Sequence, residues 1–412
     1  MKIVILAGGT GSIALQTGLY HELEQNLDGF DVKVIVNAYD NGLSTGAVRQ
    51  VMDGKILGPS DVRKNQTTRL ALENPKSPWL AFLNIRFTEE TSTVENFCKD
   101  KFSKLAAELV QNGHSSNGVQ DIYDGIDEFF RSPIASRIDY NDFSLANIIY
   151  AGLARANGNS LRKAASIMAK AMGIKDNVLL NDDTSLFLGA ITKSGKRITD
   201  EGDIVSWGNM EDPFVDLFFT DAAGNTTQPT LCPEAQWAIK QADLIILSTG
   251  TQWSSLIPTY ASVGFRETIE ASSAQILMVM NRQPDHDSPG QTASEIVNIL
   301  VPKYFPANRL KIIADATGHA NMLPSVNLNK QIVNWYSYDL SREIPDASKD
   351  RIHDSTKLAK AIATTFFSDY LNSDYFVFDY DDTLVGRGNV FPVCSKYNIN
   401  SLTWLNGKKT HL

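Results

Sequence analysis

Ile3-Val4-Ile5-Leu6-Ala7-Gly8-Gly9-Thr10-Gly11-Ser12-Ile13-Ala14-Leu15 opens the chain, and its reading decides the fold class. The apolar run has the length of a buried strand, the glycines make a tight turn, and Leu15, Leu19 and Leu23 recur at helical spacing beyond it. The same grammar returns at 32–36, a second strand that ends in Asn37-Ala38-Tyr39-Asp40-Asn41-Gly42-Leu43-Ser44-Thr45-Gly46. Further buried strands are predicted at 244–247, 276–280 and 311–314, with helices at 233–241, about 254–270 and 292–301. Strands that alternate with helices predict an α/β fold, a doubly wound and mostly parallel sheet.

Between about 90 and 175 the pattern turns helical, with apolar residues at helical spacing in 94–111, 119–131, 145–156 and 161–172. This predicts a helical insertion beside the sheet. Residues 178–220 read as strands around a Ser194-Gly195 turn, an antiparallel addition. A polar stretch near 341–356 marks a boundary, followed by a helix at about 356–370 and a strand at 375–378.

The 412 residues exceed one average domain, and 43% hydrophobic with 21% charged residues is an ordinary globular balance. A formal net charge of -9 argues against a partner nucleic acid, which needs a basic face. Cys98, Cys232 and Cys394 are far apart with no CxxC pair, which fits a reducing compartment and buried thiols. No apolar stretch reaches the ~18 residues of a membrane helix, so no membrane partner and a cytoplasmic location are expected.

Gly8, Gly9, Thr10 and Gly11 follow a strand and open a helix, where free backbone N–H groups attract anions. A P-loop requires Gly-Lys-Ser/Thr, whereas Ser12-Ile13 follows Gly11. Gly9-x-Gly11-x-x-Ala14 meets a dinucleotide fingerprint, but the second strand ends in a long Gly/Ser loop instead of a lone ribose-binding acid. Sugar nucleotidyltransferases open on a similar loop, yet their Arg and downstream Pro-Lys are missing. A β–α turn without a ligand stays open as the fourth reading. Ligands of open α/β sheets sit beyond the carboxyl ends of the strands, so the 40–46 loop is expected to face the same crevice. A third element, Gly58-Pro59-Ser60-Asp61-Val62-Arg63-Lys64-Asn65, reads as a turn and helix start, with Ser60 as a candidate cap. Two later loops, 248–258 and 281–294, again follow strands. The His286 between Asp285 and Asp287 is read as a solvated loop histidine, because adjacent side chains diverge.

Taken in order, these loops resemble the family of 2-phospho-L-lactate transferase (CofD) and the gluconeogenesis factor YvcK, over about residues 1 to 325. The resemblance implies a Rossmann-like domain over 1–350 that binds a nucleoside diphosphate derivative or nucleotide sugar. Its implied nucleotide-binding residues are Gly8, Gly9, Thr10, Gly11, Asn41, Gly42, Ser44, Thr45, Arg63, Asn65, Asn147, Gly250, Thr251, Ser254 and Asn281. Asp40 and Asp61 are the implied catalytic and metal residues, with Mg²⁺ as cofactor, and relatives of this family imply a homodimer. Departures are visible: Tyr39 stands at the first of two acidic positions, Ser60 replaces a glycine before Asp61, and Lys64 intervenes before Asn65. The implied activity is transfer of a phospho-acyl or related group to an alcohol; the alternative is a non-catalytic regulator that binds a nucleotide sugar.

Val377-Phe378-Asp379-Tyr380-Asp381-Asp382-Thr383 resembles motif one of the haloacid dehalogenase-type phosphatases. It implies Asp379 as nucleophile and Asp381 as acid/base, a third functional reading. The stretch after Thr383 is too short for that family's remaining parts, so 351–412 is expected to be the incomplete start of such a domain.

Overall fold

The computed structural model describes residues 1–25, 29–88, 93–111, 118–317, 334–342 and 351–367, with short strands at 375–378 and 384–387. In chain order the strands are β1 (Lys2–Ala7), β2 (Asp31–Val36), β3 (Val178–Leu180), β4 (Phe187–Thr192), β5 (Arg197–Ile198), β6 (Phe214–Thr220), β7 (Thr226–Thr227), β8 (Leu244–Leu247), β9 (Gln275–Val279), β10 (Leu310–Asp315) and β11 (Asn334–Tyr338). The helices up to the end of the helical layer are α1 (Ile13–Leu19), α2 (Leu43–Val51), α3 (Ser60–Glu73), α4 (Pro78–Leu83), α5 (Val94–Gln111), α6 (Val119–Phe130), α7 (Leu145–Ala156) and α8 (Leu161–Met172). Those that follow are α9 (Glu201–Val205), α10 (Pro233–Gln241), α11 (Ile257–Tyr260), α12 (Phe265–Ala271), α13 (Ala293–Tyr304) and α14 (Ser355–Phe367).

A seven-stranded sheet in the order β11-β10-β9-β8-β1-β2-β3 forms the centre, and every pairing in it is parallel. The chain starts in the middle, winds outward to β2 and β3, then returns to the other side of β1 for β8 to β11. The winding therefore reverses between β1 and β8. Helices α1, α3 and α14 pack together, while α10, α12 and α13 form a second group. Covering both faces explains why Ile3, Val4, Ile5 and Leu6 are all buried although successive side chains point opposite ways. Each such side chain contributes roughly 1.5–3 kcal/mol of burial.

The helical layer expected over about 90–175 is present as α5 to α8. Helices α6 and α7 approach closely because Gly125 and Gly152 face each other, and a Cβ on Gly152 would lie 1.7 Å from the Gly125 carbonyl oxygen. The antiparallel addition is a separate four-stranded sheet, β5-β4-β6-β7. Val178–Leu180 does not belong to it: β3 pairs in parallel with Val34 to Val36 and closes the main sheet. The helix read over about 254–270 is broken, because Gly264 adopts φ +85° and starts α12 afresh. Thr292 caps α13 in a reciprocal box with Glu295.

One boundary differs from the expectation at 350/351. Helix α14 lies against α1, so closely that a Cβ on Gly18 would sit 2.0 Å from the Ser355 carbonyl oxygen. Residues 351–367 are thus part of the main body. Beyond them, Tyr375–Phe378 pairs antiparallel with Leu384–Arg387, whereas Asp379 and Asp381 lie outside the described residues. Among the described residues no helix is long and apolar enough to cross a membrane.

Candidate functional site

Where β1 and β8 separate, their following loops diverge around a cleft of about 690 Å³. Gly8, Gly9, Thr10 and Gly11 line it from β1; Thr249, Gly250, Thr251, Ser254 and Ser255 line it from β8. A crevice at the strand-order reversal is the ordinary ligand site of open α/β sheets. The loops fit only because of glycine: a Cβ on Gly11 would lie 2.5 Å from the Thr249 carbonyl oxygen, and one on Gly9 would lie 2.5 Å from Asp61 Oδ1. Thr249 Oγ1 donates to the Gly11 carbonyl at 2.5 Å, and Asn37 at the end of β2 donates to the Ser255 carbonyl.

The first wall comes from the loop after β2 and the start of α3. Asp40 Oδ1 accepts from the Gly42 amide at 2.9 Å and Oδ2 from Thr45 Oγ1 at 3.1 Å. Thr45 Oγ1 also lies 2.5 Å from Ser60 Oγ. Ser60 therefore joins α3 to the Asp40 loop and does not cap the helix, whose N-terminus has no side-chain cap. Lys64 Nζ sits 3.3 Å from Asp61 Oδ1, and both residues line the cleft. From the antiparallel addition, Glu201 enters the same wall and accepts from the Asn41 amide at 3.3 Å, while Asn41 Nδ2 donates to Asp200.

Asn281, Asp285, His286, Arg342, Arg351 and His353 are on the opposite side. Asn281 ties this wall to the β8 loop, accepting from the Gly250 amide at 3.0 Å and donating to its carbonyl at 2.8 Å. Asp287 is buried and accepts from Ser254 N at 2.8 Å and Ser254 Oγ at 3.0 Å, which fixes that turn. Beneath lies the buried ion pair of Arg282 with Asp315. Exposed His286 contacts Arg351 at 2.9 Å through Nε2.

Burial pushes the Glu201 carboxyl up to about 8, and the neighbouring Asp40 charge adds to it. Burial and then Asp287 drive Asp285 well above the usual carboxylate range. Asp61 is also raised by burial, partly offset by Lys64. Glu201 and Asp285 thus hold their protons more tightly than free carboxyls, and Lys64, Arg342 and Arg351 line the same cleft as Asp40 and Asp61. The Cys98 and Cys232 thiols are buried and pushed up to about 12, so neither is a nucleophile here.

The fit of Mg²⁺ is poor. Both oxygens of Asp40 are engaged by its own loop, and Asp61 already holds an ammonium. Tyr39, at the position of a second acid, is fully buried, stacked edge-on against Phe219 and hydrogen-bonded by Asn181. Among the described residues no group of three or more His, Cys, Asp or Glu is placed to hold a metal.

Of the residues read from sequence, Gly8, Gly9, Thr10, Gly11, Asp40, Asp61, Gly250, Thr251, Ser254 and Asn281 share the cleft. Asn41, Gly42, Ser44 and Thr45 stand behind Asp40. Arg63 is buried and donates to Asn147 Oδ1 at 3.0 Å; Asn147 in turn donates to Ser44 and Ser60 at 3.3 Å. Asn65 donates to the Gly8 carbonyl at 2.9 Å, so it shapes the glycine loop from below. These three position the wall. Sequence reasoning missed Glu201, Arg351 and His353. Lys64 was noticed only as a departure.

A family model described as 2-phospho-L-lactate transferase CofD matches residues 3–361. A putative gluconeogenesis factor from Thermotoga maritima is 25% identical over 71% of this chain and 70% of its own length. A gluconeogenesis factor from Listeria innocua is 21% identical over 90% of this chain and 89% of its own. In fold, the chain is similar to the crystal structure of a UPF0052 family member from Bacillus halodurans, with a TM-score of 0.64 at 20% identity, covering 88% of this chain and 98% of that one.

Proposed function

The chain belongs to the CofD family, and from that premise we propose that its cleft binds the diphosphate of a nucleoside diphosphate derivative, such as a nucleotide sugar, and senses it without consuming it. The observation that carries this reading is the meeting of two glycine loops at the reversal of strand order, with Lys64, Arg342 and Arg351 lining the same cleft. Backbone amides of the 8–11 loop approach the phosphates without a Cβ in the way, and Lys64, Arg342 and Arg351 offset their charge. The lost acid at Tyr39 and the engaged oxygens of Asp40 support sensing over turnover.

Transfer of a phospho-acyl or related group to an alcohol is the second reading, and Glu201 favours it. A buried carboxyl that ionises near neutral pH suits a general base for an acceptor hydroxyl. Incubating the chain with nucleotide sugars and candidate alcohols, with free nucleotide followed by chromatography, separates the two. Sensing predicts tight calorimetric binding and no nucleotide release; release that depends on Glu201 would establish transfer instead.

A further inference from the structure

The family resemblance calls for a divalent cation beside the diphosphate, and the residues in that place are poorly suited to one. Lys64 occupies the position instead. It lies one helical turn after Asp61 on α3, and its ammonium is 3.3 Å from Asp61 Oδ1. The same nitrogen would be 3.1 Å from a Cβ on Gly9, which places it directly over the glycine loop. Its side chain is 35% exposed while that of Asp61 is 10% exposed, so the carboxylate is the buried partner and the cation the more exposed one, and both line the cleft.

We infer that Lys64 replaces the divalent cation, bridging Asp61 and the bound diphosphate, so that this chain binds nucleoside diphosphates without metal. The inference rests on the diphosphate-binding reading above. A lysine ammonium is a compact point charge with three donors, so one can go to Asp61 and the others to phosphate oxygens. Mg²⁺ demands near-octahedral oxygen ligands and rarely sheds its waters for a partly engaged carboxylate. A metal entering at Asp61 would also have to displace a like charge already paired there. Lys64 therefore does two things together: it neutralises a buried carboxylate and turns the wall that carries it toward an anion.

The test is isothermal titration of the full chain with ADP, GDP, CDP and UDP, each in excess EDTA and in excess Mg²⁺. The expected result is binding of at least one nucleotide with the same affinity in both buffers, within about twofold. Lys64→Met should weaken it by about tenfold or more, the scale of one charge-assisted contact. Lys64→Arg should retain most of it. Lys64→Arg, which keeps a cation beside the buried Asp61, should also hold the wild-type melting temperature within a few degrees, whereas Lys64→Met leaves that carboxylate unpaired and lowers it. Wild-type binding seen only with Mg²⁺, or unchanged binding by Lys64→Met in EDTA, would overturn the inference. No binding of any nucleotide in either buffer is a different outcome: it removes the diphosphate-binding reading, and this inference with it.

Discussion

The two walls of the cleft use similar residue types and are built in opposite ways. On the first, Asp40, Asp61 and Glu201 converge from three separate segments, and their partners are loop amides, a hydroxyl and one half-exposed ammonium. On the second, Asp287 is locked to the Ser254 turn, and the loop stands on the buried pair of Arg282 and Asp315. The first wall holds its charges where a ligand can use them. The second spends its buried charges on holding the loop in shape, and offers Arg351 and His286 at its rim. Residue type alone does not separate a ligand wall from a supporting one; the partners do.

The largest test of this contrast is Asp315→Ala. It removes the carboxylate paired with buried Arg282 and should cost about 3–5 kcal/mol of unfolding free energy by urea titration. A loss below about 1 kcal/mol would mean that the second wall does not depend on that pair. Next is Gly11→Ala, whose new methyl meets the Thr249 carbonyl at 2.5 Å. Overpacking of about 1–3 kcal/mol is expected, with loss of nucleotide binding, since the two loops must part. Wild-type affinity in that variant would separate the glycine loop from the ligand. Arg351→Ala should weaken nucleoside diphosphate binding by about tenfold and leave the melting temperature unchanged, because the side chain contributes a charged donor at the rim. Should it lower stability and not affinity, Arg351 belongs to the supporting wall.

The last effect concerns titration, and it is read as the slope of stability against pH. Glu201 is raised from 4.5 to about 8 by burial. Its contribution to stability is complete below the unfolded value and is lost as pH rises through about 8. His353 is lowered from 6.5 to about 4, also by burial. Its contribution is present above the unfolded value and is lost as pH falls from 6.5 toward 4. Denaturation across pH should show Glu201→Gln flattening the fall in stability between about pH 4.5 and 8, and His353→Gln flattening the rise between about pH 4 and 6.5. A slope between pH 4.5 and 8 unaltered by Glu201→Gln would place that carboxyl in solvent.

Much of the first wall was legible because its signals are local. A glycine loop directly after an apolar run reads as a β–α turn, and strand alternation fixed which end of the sheet those turns share. Glu201 was not legible, since it is carried by a five-residue helix of the antiparallel addition and only tertiary packing brings it to Asp40. Arg351 and His353 were hidden by a polar stretch that looks like a domain boundary. Only the contact of α14 with Gly18 shows that the chain turns back to the cleft. Val178–Leu180 is too short to declare its partner; its pairing follows from burial beside β2. For Arg63, Asn65 and Asn147 the neighbourhood was readable, while their role depends on direction: they point beneath the loops.

The most direct measurement is a crystal structure of the full chain with whichever nucleoside diphosphate binds most tightly. The account predicts phosphate oxygens within hydrogen-bond distance of the Gly9 to Gly11 amides and of Lys64 Nζ, between the loops that follow β1 and β8. Phosphates bound elsewhere on the molecule, with the glycine turns touching only protein, would contradict it.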